Sequence, residues 1–332
     1  MKRKIFDLLM EVKTEVLKSL KHSGADIIPR EVQATPNPQA PIVDDVVFVA
    51  IQEEQPKAIS FDSKRKSITP ETRYFQIQDG DCSRKIAYTV SGDMDADNLL
   101  LCLPGLLETK ASFLVIHAYF LKFDNCKVIS IDFSGRGESD YVDEHGAYKM
   151  SLYLSDISQL VQGTILVDGK ISQKLTILGT SMGGVLAMYL TQIFGSRIYE
   201  IILNDIALTV NWTSLYALYK SMKNDLGFKE VRELAEDLSV DHKAISDVQL
   251  PGHFDLSYQA DVWGMNFHEA LEGYKGRVGL IHGSESKICT KQRVAEAKSF
   301  IPNIQTLEVA NAGHPAPFNL AVCDFIQAEM GV

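Results

Sequence analysis

The chain has 332 residues with 33 basic and 43 acidic side chains, a net charge of −10. That length suits one large α/β domain with appendages. The acidic balance argues against nucleic-acid or anionic-membrane partners held by charge, and no run of about 18 apolar residues is present to span a bilayer.

In chain order, Ile5, Leu9, Val12, Val16 and Leu20 recur at helical spacing, with Lys4, Asp7, Glu11, Lys18 and Lys21 on the other sides. This is an amphipathic helix whose stripe suits packing on its own domain or on a second subunit, as in a homodimer. Mixed charge makes a membrane-surface or partner-docking role a weaker fit. Met1-Lys2-Arg3-Lys4 imitates the start of a signal peptide, but Glu11, Lys13 and Glu15 interrupt the apolar core that secretion requires. Pro29, Pro36, Pro38, Pro41, Pro56 and Pro70 mark an extended arm, in which Val46 to Ile51 could add one edge strand. Residues 1–72 are therefore read as a helix and a proline-rich arm.

From Arg73 the rhythm changes. Tyr74–Ile77 and Lys85–Val90, split by Asp79-Gly80, predict a hairpin. Leu99–Leu103, Val128–Ile131, Leu175–Leu178, Ile201–Leu203, Val278–Ile281 and Thr306–Val309 are short apolar runs separated by helix-length segments. Such runs suit strands buried on both faces, giving a doubly wound, mostly parallel eight-stranded sheet with its site beyond the carboxyl ends of the strands. Cys82, Cys102, Cys126, Cys289 and Cys323 are dispersed and odd in number, which suggests reduced thiols, a cytoplasmic setting and no disulfide framework.

The fifth predicted strand runs into Gly179-Thr180-Ser181-Met182-Gly183-Gly184, followed by the helix-compatible Val185–Leu190. Strand, GxSxG and helix in that order predict a sharp turn that lifts a serine hydroxyl clear of the sheet. Three further motifs accompany it: Leu103-Pro104-Gly105-Leu106, Asp132-Phe133-Ser134-Gly135-Arg136-Gly137-Glu138-Ser139-Asp140, and Ala312-Gly313-His314 near the end. With Leu203-Asn204-Asp205-Ile206 after the sixth strand, the chain from residue 73 onward resembles the α/β-hydrolases, in particular the branch with a Leu-Pro-Gly loop after the third strand.

The resemblance implies a cofactor-independent serine hydrolase with Ser181 as nucleophile and His314 as base. It places the oxyanion-binding amides at Leu106 and Met182. The Arg136 loop is read as structural. The family's usual acid follows the seventh strand, but that loop here reads Gly283-Ser284-Glu285-Ser286-Lys287-Ile288, with Ser286 or Lys287 in the acid's place. Asp205, after the sixth strand, is the preferred acid, because some members carry it there; Glu285 is the alternative, and an absent acid a third reading. Residues 207–273 are expected to form a helical cap, rich in Trp212, Tyr216, Tyr219, Phe228, Phe254, Tyr258, Trp263 and Phe267, with His253 and His268 as polar members of its pocket.

That cap implies a small or medium organic substrate. An ester is expected. A carbon–carbon hydrolase of diketone-type substrates and a degenerate ligand-binding or partner-docking protein are the alternatives. No phosphate-binding or dinucleotide fingerprint and no His/Cys cluster with metal-ligand spacing is present.

Overall fold

The computed structural model describes residues 67–79, 82–106, 108–142, 150–166, 173–209 and 267–332. The amphipathic helix, the proline-rich arm with its candidate strand, and most of the expected cap, including His253, lie outside the described residues.

The eight strands are β1 (Ser67–Asp79), β2 (Cys82–Asp93), β3 (Asn98–Leu103), β4 (Cys126–Ile131), β5 (Lys174–Thr180), β6 (Ile198–Asn204), β7 (Arg277–Gly283) and β8 (Gln305–Val309). They form one sheet in the order β1-β2-β4-β3-β5-β6-β7-β8. β1 pairs antiparallel with β2, and β2 antiparallel with β4; every pair from β4 onward is parallel. β1 begins at Ser67, earlier than the expected start of the core at residue 73.

The helices are α1 (Leu114–Phe120), α2 (Met150–Leu160), α3 (Met182–Phe194), α4 (Lys291–Phe300) and α5 (Leu320–Met330). The strands alternate sides, as a pleat requires. Leu99, Leu101 and Leu103 of β3 join one core with α2, α3 and α4, while Leu100 and Cys102 join another with α1 and α5. A sheet covered on both faces explains why its central strands are mostly apolar, with no regular polar alternation. Cys102, Cys126, Cys289 and Cys323 are buried free thiols.

β6 and β7 are joined through the 207–273 region, and its two described ends belong to the core. Phe267 N donates to Leu208 O at 2.7 Å, and Ala207, Leu208, Phe267, Ala270 and Leu271 are buried against α3. The expected cap therefore narrows to the stretch between Thr209 and Phe267. Among the described residues, no helix is long and apolar enough to cross a membrane.

Candidate active site

Strand order decides where the motifs meet. β3, β5, β6, β7 and β8 are consecutive neighbours, and their carboxyl ends carry Leu106, Ser181, Asp205, the Gly283–Ile288 loop and His314 in turn. Residues distant in sequence thus converge on one edge of the sheet.

Ser181 sits between β5 and α3 with φ 49° and ψ −111°, a backbone conformation that is strained for a residue with a side chain. The turn is held by Ser181 N donating to Asn204 O at 3.0 Å and by Gly184 N donating to Ser181 O at 2.9 Å. It closes only because its neighbours lack side chains. A Cβ at Gly179 would lie 2.4 Å from the Gly183 carbonyl, and one at Gly183 would lie 2.2 Å from Leu103 O. The second close approach brings the start of α3 against the Leu-Pro-Gly loop. Among the described residues, none accepts a hydrogen bond from the amide of Met182 or of Leu106, which leaves both donors open to a ligand at Ser181.

His314 bridges two strands. Its Nε2 lies 3.0 Å from Ser181 Oγ and its Nδ1 2.6 Å from Asp205 Oδ2. Asp205 is fully buried and also has a left-handed backbone, with φ 58°. Its amide donates to Ile281 O at 2.7 Å. Its carboxylate accepts from Gly283 N at 2.9 Å and from Ser286 Oγ at 2.7 Å as well as from the imidazole. A carboxylate deep in the fold needs such donors to remain an anion. Ser286 is itself fixed, since its Oγ accepts from Ile288 N at 3.2 Å and Cys289 N at 2.9 Å.

Glu285 is placed differently. Its amide donates to Ala312 O at 2.9 Å, but its side chain is exposed and makes no hydrogen bond with His314. The alternation of the loop turns Ser286 inward and Glu285 outward. His268 also falls elsewhere. Its ring packs edge-on against Phe300, with centroids 4.5 Å apart, and Ala270 O accepts from Thr191 Oγ1 and Gln192 Nε2 near the end of α3. Those contacts put it at the ends of α3 and α4 remote from Ser181. His268 therefore lies away from the serine, against the far end of α4.

Three further residues shape the site although the sequence assigned them no role. Asn204 Nδ2 donates to Ala316 O at 3.0 Å and to Thr180 Oγ1 at 3.3 Å, tying the His314 loop to the elbow strand. Glu108 is buried, and burial raises its carboxyl above the ordinary value against the opposing pull of the Gly105 amide, His314 and Arg136. Ser286 was visible only as a substitution at the acid's usual place; its hydroxyl donation to Asp205 is a feature of the folded loop.

The Asp132–Asp140 loop carries its polar groups inward to one another. Asp132 accepts from Lys110 N at 2.7 Å, Lys110 Nζ at 2.8 Å and Glu138 N at 3.0 Å, and Lys110 also pairs with Glu138.

A parallel sheet with a serine elbow after a central strand and a histidine after the last defines a hydrolase-type α/β architecture. Comparison with known proteins agrees. A family model described as the alpha/beta hydrolase fold matches residues 98–231. The chain is 21% identical to a 3-hydroxybutyrate-oligomer hydrolase of Cupriavidus necator over 271 residues, covering 70% of this chain and 88% of that protein. Among solved structures, an alpha/beta hydrolase from Novosphingobium aromaticivorans superposes with a TM-score of 0.61 at 20% identity, covering 79% of this chain and 98% of that one. A hydrolase from Pseudomonas aeruginosa gives 0.63 at 14% identity, with 78% and 98% covered. The chain thus has the α/β-hydrolase fold, and residues 98–231 match that fold's family model.

Proposed function

We propose that the protein is a serine hydrolase that cleaves small or medium carboxylic esters through an acyl-enzyme. The observation that carries this reading is the single imidazole of His314, hydrogen-bonded to Ser181 Oγ on one nitrogen and to the Asp205 carboxylate on the other. A serine hydroxyl is a weak nucleophile until a neighbouring base takes its proton. His314 Nε2 is that base, and Asp205 holds the ring with Nδ1 protonated and stabilises the imidazolium that forms.

Attack of Ser181 Oγ on the ester carbon moves the hydroxyl proton to His314 and places negative charge on the former carbonyl oxygen. The amides of Met182 and Leu106 receive that oxygen. Collapse expels the alcohol, which takes the proton from His314, and leaves an acyl group on Ser181. Water then repeats the sequence with His314 again as base, releasing the acid. Ser286 and the Gly283 amide complete the shell of the Asp205 anion.

An ester fits the chemistry of the Cupriavidus necator relative, whose name describes hydrolysis of 3-hydroxybutyrate oligomers, molecules joined by carboxylic ester bonds. The test is covalent. A fluorophosphonate probe is expected to modify the protein once, at Ser181, and p-nitrophenyl acetate to be hydrolysed, with both lost in Ser181→Ala. An intact wild-type protein that neither labels nor turns over short nitrophenyl esters would overturn the reading.

A further inference from the structure

Arg136 is almost fully buried in a loop to which the sequence assigned no chemical step. Its Nη1 donates to Gly105 O at 3.2 Å and its Nη2 to Tyr153 Oη at 3.3 Å. The same carbonyl accepts from Glu108 N at 3.2 Å, while Gly105 N donates to Glu108 Oε2 at 2.6 Å. Gly105 is therefore held on both sides of its backbone, by one guanidinium and by both ends of one glutamate.

The consequence lies one atom further along the chain. The Gly105 carbonyl and the Leu106 N–H belong to the same peptide unit, which is trans. In a planar trans peptide the C=O and N–H point in opposite directions. Fixing the carbonyl toward Arg136 thus fixes the Leu106 N–H away from it, and no described residue accepts from that amide. A cation on the carbonyl oxygen also polarises the peptide, which makes its N–H a stronger donor in a site shielded from water. A Cβ at Gly183 would lie 2.2 Å from Leu103 O and 2.7 Å from Pro104 O, so this loop lies against the serine elbow.

We propose that Arg136 and Glu108 are positioning residues that aim and polarise the Leu106 amide toward the oxyanion formed on Ser181. The proposal rests on the serine-hydrolase reading above. A merely structural Arg136 would affect folding and substrate binding without a selective cost to the transition state. A donor aimed at an oxyanion acts on kcat, because the charge it receives does not exist in the bound ester.

The experiment compares Arg136→Met, Glu108→Leu and Glu108→Gln with wild type, using p-nitrophenyl acetate and a trifluoromethyl ketone that traps the serine as a tetrahedral oxyanion. Thermal unfolding reports which variants are folded. Loss of one oxyanion donor costs about 10²–10³ in kcat, so misaiming one is expected to cost about 10–100-fold with KM within about threefold. Inhibitor affinity is expected to fall in proportion. The Glu108→Gln variant keeps an acceptor oxygen for the Gly105 amide and is expected to lose less than Glu108→Leu. Should Arg136→Met not fold, the Glu108 pair decides by the same criteria.

A folded Arg136→Met or Glu108→Leu protein with wild-type kcat, or a loss confined to KM, overturns the positioning role while wild type still labels at Ser181. A wild type that does not label removes the serine reading itself, and the positioning role with it.

Discussion

β6 carries a buried carboxylate at each end, and the two are treated in opposite ways. Asp205, just past the carboxyl end, is enclosed by three donors: the Gly283 amide, the Ser286 hydroxyl and the His314 imidazole. Glu200, near the amino end, is equally buried, yet neither of its oxygens has a hydrogen-bond donor among the described residues. Arg277 Nε stands 3.5 Å from it, and Arg277 also pairs with the neighbouring Glu329 at 3.1 Å. Burial, then the neighbouring Glu329 carboxyl, pushes Glu200 up to about 8. The same kind of group is thus enclosed by donors at one end of the strand and driven toward the neutral acid at the other. The two are equally buried and differ in the number of donors aimed at the carboxyl.

Replacing each carboxyl by its amide breaks this comparison most strongly. Asp205→Asn leaves the geometry but presents the wrong partner to Nδ1, so kcat/KM for a short nitrophenyl ester is expected to fall by about 10³–10⁴. The same change at the other end, Glu200→Gln, is expected to leave that rate constant where it is, since the residue stands at the opposite edge of the sheet. Ser286→Ala removes one of the three donors to the Asp205 carboxylate. A hydrogen bond to an ionised group is worth about 1.5–3 kcal/mol, so a loss of about tenfold or more in kcat is expected, with KM nearly unchanged.

The smallest effect is on stability. Between the ordinary carboxyl value of 4.5 and about 8, the folded chain keeps a proton on Glu200 that the unfolded chain has released. Its contribution is therefore fully present below 4.5 and is lost as pH rises through about 8. Urea midpoints measured from about pH 5 to about pH 9 are expected to decline less steeply in Glu200→Gln than in wild type. Parallel slopes would mean that Glu200 titrates normally.

Legibility in the sequence followed the same physics. The strands could be read because a sheet buried on both faces leaves no polar alternation to confuse the pattern; each run predicted from Tyr74 onward falls inside an observed strand. The elbow could be read because only glycine tolerates the approaches made at residues 179 and 183. Asp205 and Glu285 were both named, but the choice of carboxyl facing the imidazole depends on backbone direction. The positive φ of Asp205 and the inward turn of Ser286 leave Glu285 in solvent. Arg136 was read as a loop residue, because its bond to Gly105 joins positions 31 apart and leaves no local pattern. His268, offered as one candidate pocket residue, packs instead against Phe300, a contact between positions far apart in sequence that leaves no local pattern.

The central claim is that Asp205 orients His314 so that Ser181 is activated. The rate constant for fluorophosphonate modification of Ser181, with the labelled peptide identified by mass, tests this in wild type, Asp205→Asn and Glu285→Gln. The expected result is wild-type labelling in Glu285→Gln and slowing by about 100-fold or more in Asp205→Asn. Equal labelling of Asp205→Asn and wild type, or a collapse in Glu285→Gln alone, would contradict it.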